Sequence, residues 1–316
     1  MNLGHFPLPS ANGALAVFAA GAVSYVASFA PSNWIDAVPT GYTSKSSYSA
    51  TPTRSATIPE NSLPGEGLQK PGATDNSPAA KNLQKKVALM EEGRQFLKKQ
   101  GTYTAELSKQ EVVGDELLDE HVMDLKCREE PFSVYLNWKS GDRGREVLYV
   151  EGENEGRLLA HDGGWKSRLP AFSLDPECSL AMRDSRYPVT SAGLGGLVDI
   201  MCSVHEHDLK AGNVLSCEHR KDTEFDGRPV HTFITTYRDQ KSSPTYRKSI
   251  TLIDQEWNVP VSTHNFTWPD EDQKSLSGKQ LDEATLIESY QFRDINFGTQ
   301  LTEADFSRDH EDYRFR

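Results

Sequence analysis

The stretch YQFRDINFGTQLTEADFSRDHEDYRF, residues 290–315, joins an extended segment to an acidic tail. Its first part alternates apolar and polar residues, which is typical of a β-strand with one buried face. The tail is polar, yet it still carries Phe306, Tyr313 and Phe315. The pattern predicts that the last strand of a sheet runs over about residues 285–297. The aromatic tail, which carries no chemical motif, has to be explained by the fold.

The composition limits the class of protein. The 316 residues carry 34 basic and 46 acidic side chains, and the net charge of −12 argues against nucleic-acid binding. Only 36% of the residues are apolar, which indicates that part of the chain is not packed.

Four cysteines stand outside the C-x-x-C spacing of zinc and redox sites. An exported chain is expected to form at least one disulfide, and Cys202–Cys217 is the first pair to test. Four small buried core residues are the open alternative.

The N-terminus carries an apolar segment, GALAVFAAGAVSYVASFA, at residues 13–30. At ~1.5 Å per residue a helix of this length spans roughly 27 Å, which is barely the hydrocarbon core of a membrane. We expect residues 1–38 to be an uncleaved membrane anchor or a signal segment that can be cleaved after Ser28, and the remaining alternative is neither. The first two alternatives export the rest of the chain.

Residues 39–78 are rich in Ser, Thr, Pro and Gly. Such a composition cannot bury enough apolar surface to offset the entropy of ordering, so it predicts a disordered linker. The folded domain is expected over residues 79–316.

Within this domain the periodicity predicts two helices, one from about Ala79 to Gly101 and one from Thr190 to His207. About eleven strand segments are joined by short turns, of which Asp226-Gly227 is the clearest hairpin signal. The order predicts an α+β fold with a large antiparallel sheet. A sheet of this size must curl, so we expect an incomplete β-barrel wrapped around one or two helices.

One set of apolar residues should point inward from the strands and the second helix. Their alternation does not tell a filled core from a dry cavity for an acyl chain. These ligand-binding candidates are Phe132, Val134, Leu136, Trp138, Val147, Tyr149, Leu194, Leu197, Met201 and Phe233.

Two runs resemble the lipoprotein-carrier superfamily, the LolA/LolB-like fold shared with RseB-type sensor domains. They are KCREEPFSVYLNW at residues 126–138 and ITLIDQEWNVPVSTHNFTW at residues 250–268. Residues 290–315 are similar to the closing strand and Phe-anchored tail of that superfamily. The resemblance implies that this terminus closes the sheet and pins its edge.

A closer resemblance is to an exported bacterial domain-of-unknown-function family, number fifteen-seventy-one. It is carried by the blocks YTAEL-KQE, PFSVYL-W, GREVLYVEG and SRYPVT-AGL, which begin at Tyr103, Pro131, Gly144 and Ser185. The true carriers place an arginine on the aromatic strand, whereas residues 132–135 contain none. Lipoprotein carriage in the strict sense is therefore not implied.

No residue pattern favours catalysis, a cofactor or a metal. His205-Glu206-His207 suggests a metal site, but helical residues two apart diverge by about 200°. We therefore expect a non-enzymatic envelope protein that binds a lipid, acyl chain or lipoprotein segment. The alternative is a sensor or interaction module that binds an envelope protein on the same scaffold. The membrane is expected to be contacted through residues 1–38.

Overall fold

The computed structural model of the protein describes residues 76–315. The predicted N-terminal segment and all but the last three residues of the predicted linker lie outside the described residues. No helix within residues 76–315 is long and apolar enough to cross a membrane.

Two long helices follow the capping signals of the sequence. Helix α1 spans Pro78–Gln100, where the Ser77 side chain accepts a hydrogen bond from Ala80 N at 3.1 Å and Gly101 ends the helix at φ 75°. Helix α2 spans Gly193–Ala211 and ends at Gly212 in the left-handed region. A third helix, α3 at Gly278–Ala284, was not predicted, because seven residues are too short for a periodic apolar pattern.

Twelve antiparallel strands form one open sheet, which confirms the predicted α+β class and its large curved sheet. The strands are β1 Thr102–Val113, β2 Glu116–Leu117, β3 His121–Arg128, β4 Ser133–Trp138, β5 Glu146–Val150, β6 Leu158–His161, β7 Phe172–Leu174, β8 Val214–Phe225, β9 Arg228–Tyr237, β10 Lys248–Asp254, β11 Pro260–Phe266 and β12 Leu286–Asn296. Their spatial order is β7-β6-β5-β4-β3-β1-β12-β11-β10-β9-β8, with β2 paired to β1.

The C-terminal strand occupies the middle of the sheet, so the expectation that it pins an edge is wrong. Strand β12 pairs with β1 on one side and with β11 on the other. It thereby joins two meanders, β1–β7 and β8–β11, into one sheet. The edges are β7, which has three residues, and β8, whose exposed positions carry charges that discourage further pairing.

The aromatic tail covers the outer face of the first meander. Phe306, Tyr313 and Phe315 are buried there against Tyr135 of β4 and Leu148 of β5. Because the tail covers the outside and the main core covers the inside, the side chains of these two strands are buried on both faces.

The inner face of the sheet packs against α1 and α2. Alternate residues of β4 and β5, including Val134, Leu136 and Val147, point into this core as the alternation predicts. Helix α1 contributes Leu83, Met90 and Leu97, which are almost fully buried. The two helices therefore fill much of the concave side of the sheet.

All four cysteines are free, so the predicted Cys202–Cys217 disulfide is absent. The Cys217 Sγ atom lies 3.6 Å from Thr235 Oγ1 on the neighbouring strand, and Cys202 is buried on α2. Burial raises the pKa of the Cys202 thiol to about 12. Cys127, Cys202 and Cys217 thus act as buried core residues.

Candidate functional site

The inner face of the first meander is not completely filled. A cavity of about 480 Å³ remains between this face, helix α2 and the segment that connects β7 to α2, residues 175–192. One wall of the cavity is apolar. It includes Leu107, Met123, Leu136, Trp138, Val147, Leu158, Phe172, Leu174, Leu197, Met201 and Phe292.

The cavity brings together five of the ten candidates from the sequence: Leu136, Trp138, Val147, Leu197 and Met201. The other five lie outside its lining, in or against the packed core: Phe132, Val134, Tyr149, Leu194 and Phe233.

The start of α2 separates these two groups. Tyr103, Cys127, Val134 and Tyr149 form one row across four neighbouring strands. Leu194 N donates a hydrogen bond to Tyr103 Oη at 2.7 Å, so the first turn of α2 lies directly on this row. A Cβ atom at Gly193 would stand only 2.6 Å from Tyr103 Oη, and this close approach requires glycine. The cavity opens further along the strands, toward Met123 and Trp138.

The opposite wall of the cavity is polar. It is formed mainly by the second meander and by β12. Its hydrogen-bonding side chains are Tyr237, Tyr246, Ser249, Thr263, Asn265, Glu288 and Tyr290. A molecule in this cavity therefore meets hydrocarbon on one side and hydroxyl, amide and carboxylate groups on the other.

Two buried glutamates stand at the junction of the two meanders. Glu111 of β1 and Glu288 of β12 are directly opposite each other in the sheet and are only 2% and 1% exposed. Like charges in such a pair destabilise a sheet unless they are compensated. Lys109 Nζ lies 2.9 Å from Glu111 Oε2, and Arg186 Nε lies 2.9 Å from Glu288 Oε2. We call these four residues the carboxylate clasp.

Tyrosines and an amide complete the shell of the clasp. Tyr246 Oη donates to Glu288 Oε1 at 3.0 Å, and Asn265 Nδ2 donates to the same oxygen at 2.7 Å. Tyr290 donates to Glu111. Burial, together with the charges of Glu111 and Glu288, raises the pKa of Tyr290 well above its usual range. The tyrosines therefore stay protonated and act as hydrogen-bond donors.

The clasp fixes residues 175–192 over the cavity. Arg186 N donates to Glu111 Oε2 at 3.2 Å, and Lys109 Nζ donates to the carbonyl of Asp184 at 3.0 Å. Burial alone would lower the pKa of Arg186. The charge of Glu288 outweighs this effect and raises the pKa above its usual value, so the guanidinium stays charged. A single cluster of charges thus joins the two meanders and holds the cover of the cavity.

The clasp was not among the residues selected from the sequence. In the sequence its four charged residues look like ordinary surface residues. Glu111 and Glu288 come together only because β1 pairs with β12. One signal was present. The block YTAEL-KQE ends with Lys109, Gln110 and Glu111, and the block SRYPVT begins with Ser185, Arg186 and Tyr187.

His205 was considered as a metal ligand, but its spacing from His207 on a helix argues against this role. In the structure it belongs to a cluster of buried polar side chains. Its Nδ1 atom lies 3.2 Å from Asp208 Oδ2, and Tyr237 Oη donates to the same oxygen at 2.9 Å. Burial and the nearby charge of Lys86 lower the pKa of His205 to about 4, against the effect of Asp208. The imidazole is therefore neutral at pH 7, and Asp208 requires its proton on Nδ1.

Several solved structures are similar to this chain at low identity. MucB in the Pseudomonas aeruginosa MucA/MucB complex is 16% identical with a TM-score of 0.39, and the match covers 73% of this chain and 61% of that chain. The Mycobacterium tuberculosis lipoprotein LppX is 11% identical with a TM-score of 0.39, over 69% of this chain and 99% of that chain. A LolA superfamily protein from Nitrosomonas europaea is 10% identical with a TM-score of 0.30, over 71% and 97%.

The match to MucB spans less than two thirds of the length of that chain. The comparison with curated proteins gives no match. At these identities and TM-scores, the similar structures assign neither a ligand nor a partner to this chain.

The sequence itself matches one family over most of the described residues. The model of the family described as protein of unknown function (DUF1571) matches residues 100–315. This span includes the cavity and the carboxylate clasp, and it confirms the resemblance carried by the four sequence blocks. The chain belongs to this family.

Proposed function

We propose that the protein is a non-enzymatic envelope protein that binds the hydrocarbon part of a lipid or related amphiphile in its cavity. The observation that carries the proposal is the cavity itself, about 480 Å³ in volume with an apolar wall. This volume lies within the range of roughly 300–1,000 Å³ that is typical of small-molecule sites. Leu136, Trp138, Val147, Leu197 and Met201 are the proposed contacts of the hydrocarbon.

The energetic basis is the removal of hydrocarbon from water. Each buried methylene contributes about 0.8 kcal/mol, so a chain of several methylenes offsets the cost of immobilising the ligand. Residues 175–192 shield the bound chain from solvent, and the polar wall offers hydrogen bonds to a polar end. The two walls together favour an amphiphile over a pure hydrocarbon.

The location completes the proposal. We propose that residues 1–38 export or anchor the chain and that the part of residues 39–78 that precedes α1 acts as a flexible tether. The domain would then act outside the cytoplasm, near a membrane.

Titration of the full chain with a fluorescent fatty acid tests the proposal. Wild-type protein is expected to bind the probe saturably. Leu197→Trp places a bulky indole ring in the cavity and is expected to weaken binding at least tenfold, with thermal unfolding measured in parallel. Leu215→Trp is the matched control, because it adds the same ring at an exposed position on β8.

Absence of saturable binding to a folded protein would contradict the proposal. Equal weakening by both tryptophan variants would contradict the assignment of the cavity. The first result would favour the alternative of a protein-interaction module, for which affinity capture of an envelope partner is the next experiment.

A further inference from the structure

Exposed apolar side chains are concentrated at the border of the cavity. Four large hydrophobic residues of the described chain are strongly exposed, and three of them lie on two neighbouring segments of the cavity rim. Trp165 is 82% exposed and Leu169 is 54% exposed, both on the loop between β6 and β7. Leu180, 48% exposed, lies on residues 175–192 and lines the cavity. We call these three residues the rim patch.

Two cations lie next to the rim patch. They are Lys166 and Arg168, which follow Trp165 on the same loop and form no ion pair within residues 76–315. The Lys166 ammonium lies 5.9 Å from the centroid of the Trp165 ring. Gly164 N donates to the carbonyl of Arg143 at 3.1 Å, which brings a third exposed cation to the same loop.

The carboxylates of this region are mostly engaged elsewhere. Asp184 pairs with Arg145 at 3.0 Å and with Arg183 at 2.8 Å, and Asp142 lies 3.6 Å from Arg145. Asp162 is the one carboxylate of the loop between β6 and β7, so with Lys166 and Arg168 the loop carries a net charge of +1 and an indole ring on a chain whose net charge is −12. Tryptophan with flanking lysine or arginine is the combination that membrane-surface segments use.

We propose that the rim patch docks the domain on a membrane surface that contains anionic lipids. Trp165 and Leu169 enter the headgroup region, and Lys166 and Arg168 contact the anionic headgroups. Since Lys166 and Leu180 line the cavity, docking turns the cavity toward the bilayer. The inference rests on the exposure and charge of the rim, and it does not depend on which ligand occupies the cavity.

Quenching of Trp165 by brominated phospholipids tests docking in the full chain. The fluorescence of Trp165 is obtained as the difference between the spectra of wild type and Trp165→Phe. Quenching that comes from lipid contacts of the N-terminal segment is common to both proteins and cancels. We expect this difference to be quenched by vesicles that contain brominated phosphatidylglycerol and much less by vesicles of brominated phosphatidylcholine alone. Replacing Lys166 and Arg168 with Gln is expected to lower the docking constant about 30-fold, since each cation near an anionic surface contributes about 1 kcal/mol.

Leu215→Ser is the matched control, because it removes the fourth exposed hydrophobic residue, which lies on β8 outside the cavity lining. It should leave docking unchanged. An unquenched Trp165 in folded, vesicle-bound protein would overturn the inference, as would equal quenching by neutral and anionic vesicles. Titration with the fluorescent fatty acid in the absence of vesicles measures the cavity separately from docking. The affinity for this probe should be the same in wild type and Trp165→Phe.

Discussion

Tyr313 stacks on Tyr135, with the ring centroids 3.9 Å apart and the ring planes 10° from parallel. Phe315 meets the same Tyr135 ring edge-on at 6.4 Å. The tail is also hydrogen-bonded, since Tyr313 Oη donates to the carbonyl of Asp305 at 2.7 Å. These contacts fix the C-terminal tail on the outer faces of β4 and β5, whose inner faces line the cavity. The tail therefore supports the cavity wall from behind.

The first prediction concerns this support. Tyr313→Ala removes a buried ring from the outer cluster and is expected to lower the free energy of unfolding by roughly 2–5 kcal/mol. Asp312→Ala changes an exposed neighbour and should stay within about 0.5 kcal/mol of wild type. Urea unfolding followed by circular dichroism measures both. A Tyr313→Ala protein as stable as wild type would show that the tail contributes little.

The faces of β4 and β5 were predicted correctly because their alternation is local. Val134, Leu136 and Val147 point inward as expected, whichever strand lies beside them. The capped ends of α1 were equally predictable, since Pro78 and Gly101 act through the local backbone. Apolar alternation and helix capping depend only on residues that are close in the chain, so both can be predicted from one sequence.

The central position of β12 and the carboxylate clasp depend on long-range pairing. Nothing in the residues near Glu288 shows that its strand pairs with β1, which is over 170 residues earlier in the chain. The sequence also does not show which inward-facing residues line the cavity and which are packed in the core. This division depends on where the first turn of α2 lies across the strands, and not on the apolar character of Val134 or Leu136.

The second prediction addresses the clasp. Arg186→Leu leaves the buried carboxylates Glu111 and Glu288 opposite each other, with Lys109 as the remaining cation of the clasp. Loss of one partner of a buried charge pair is expected to cost roughly 3–5 kcal/mol of stability. Proteolysis within residues 175–192 should also become faster, because the contacts of the Arg186 side chain with Glu288 and with the carbonyl of Val112 are lost.

A second substitution separates charge from packing. Adding Glu288→Gln to Arg186→Leu removes one of the two facing charges and should recover part of the lost stability, as a double-mutant cycle would show. Arg183→Leu is the control, because the Arg183 side chain is half exposed and contacts only Asp184 among the charges of this segment. No recovery in the double variant would contradict the electrostatic account.

The third prediction is a pH dependence that comes from His205. Its pKa falls from 6.5 to about 4 on folding, through burial and the charge of Lys86 on α1. Between these pH values the unfolded chain binds a proton that the native protein excludes, so stability is complete above pH 6.5 and is lost as the pH falls. The loss from this residue should reach about 2 kcal/mol at pH 5.

Thermal and urea unfolding between pH 7 and pH 5 measure the slope of the free energy of unfolding against pH. His205→Gln cannot titrate and is expected to reduce the pH-dependent loss by about 2 kcal/mol. His207→Gln is the matched control, since His207 is exposed on the same helix and should leave the slope unchanged. An identical slope in wild type and His205→Gln would assign the acid sensitivity to other groups.

The last prediction concerns Lys86, which is fully buried on α1 and donates a hydrogen bond to Thr251 Oγ1 at 2.9 Å. Burial lowers its pKa from 10.5 to about 8, although Cys217, Asp208 and Cys202 act in the opposite direction. At pH 7 the native state therefore bears the cost of a buried ammonium. Lys86→Met keeps an unbranched side chain, one heavy atom shorter, and removes the charge. After the lost hydrogen bond is counted, the variant should be roughly 2 kcal/mol more stable than wild type.

The pH dependence distinguishes this explanation from better packing of methionine. Between pH 8 and pH 10.5 the unfolded chain holds the proton more tightly than the native protein, so wild type gains stability as the pH rises. The difference between wild type and Lys86→Met should therefore narrow by about 2 kcal/mol from pH 7 to pH 9.5. Lys81→Met, at an exposed position of the same helix, should show no such change. A constant difference across this range would attribute the gain to packing alone.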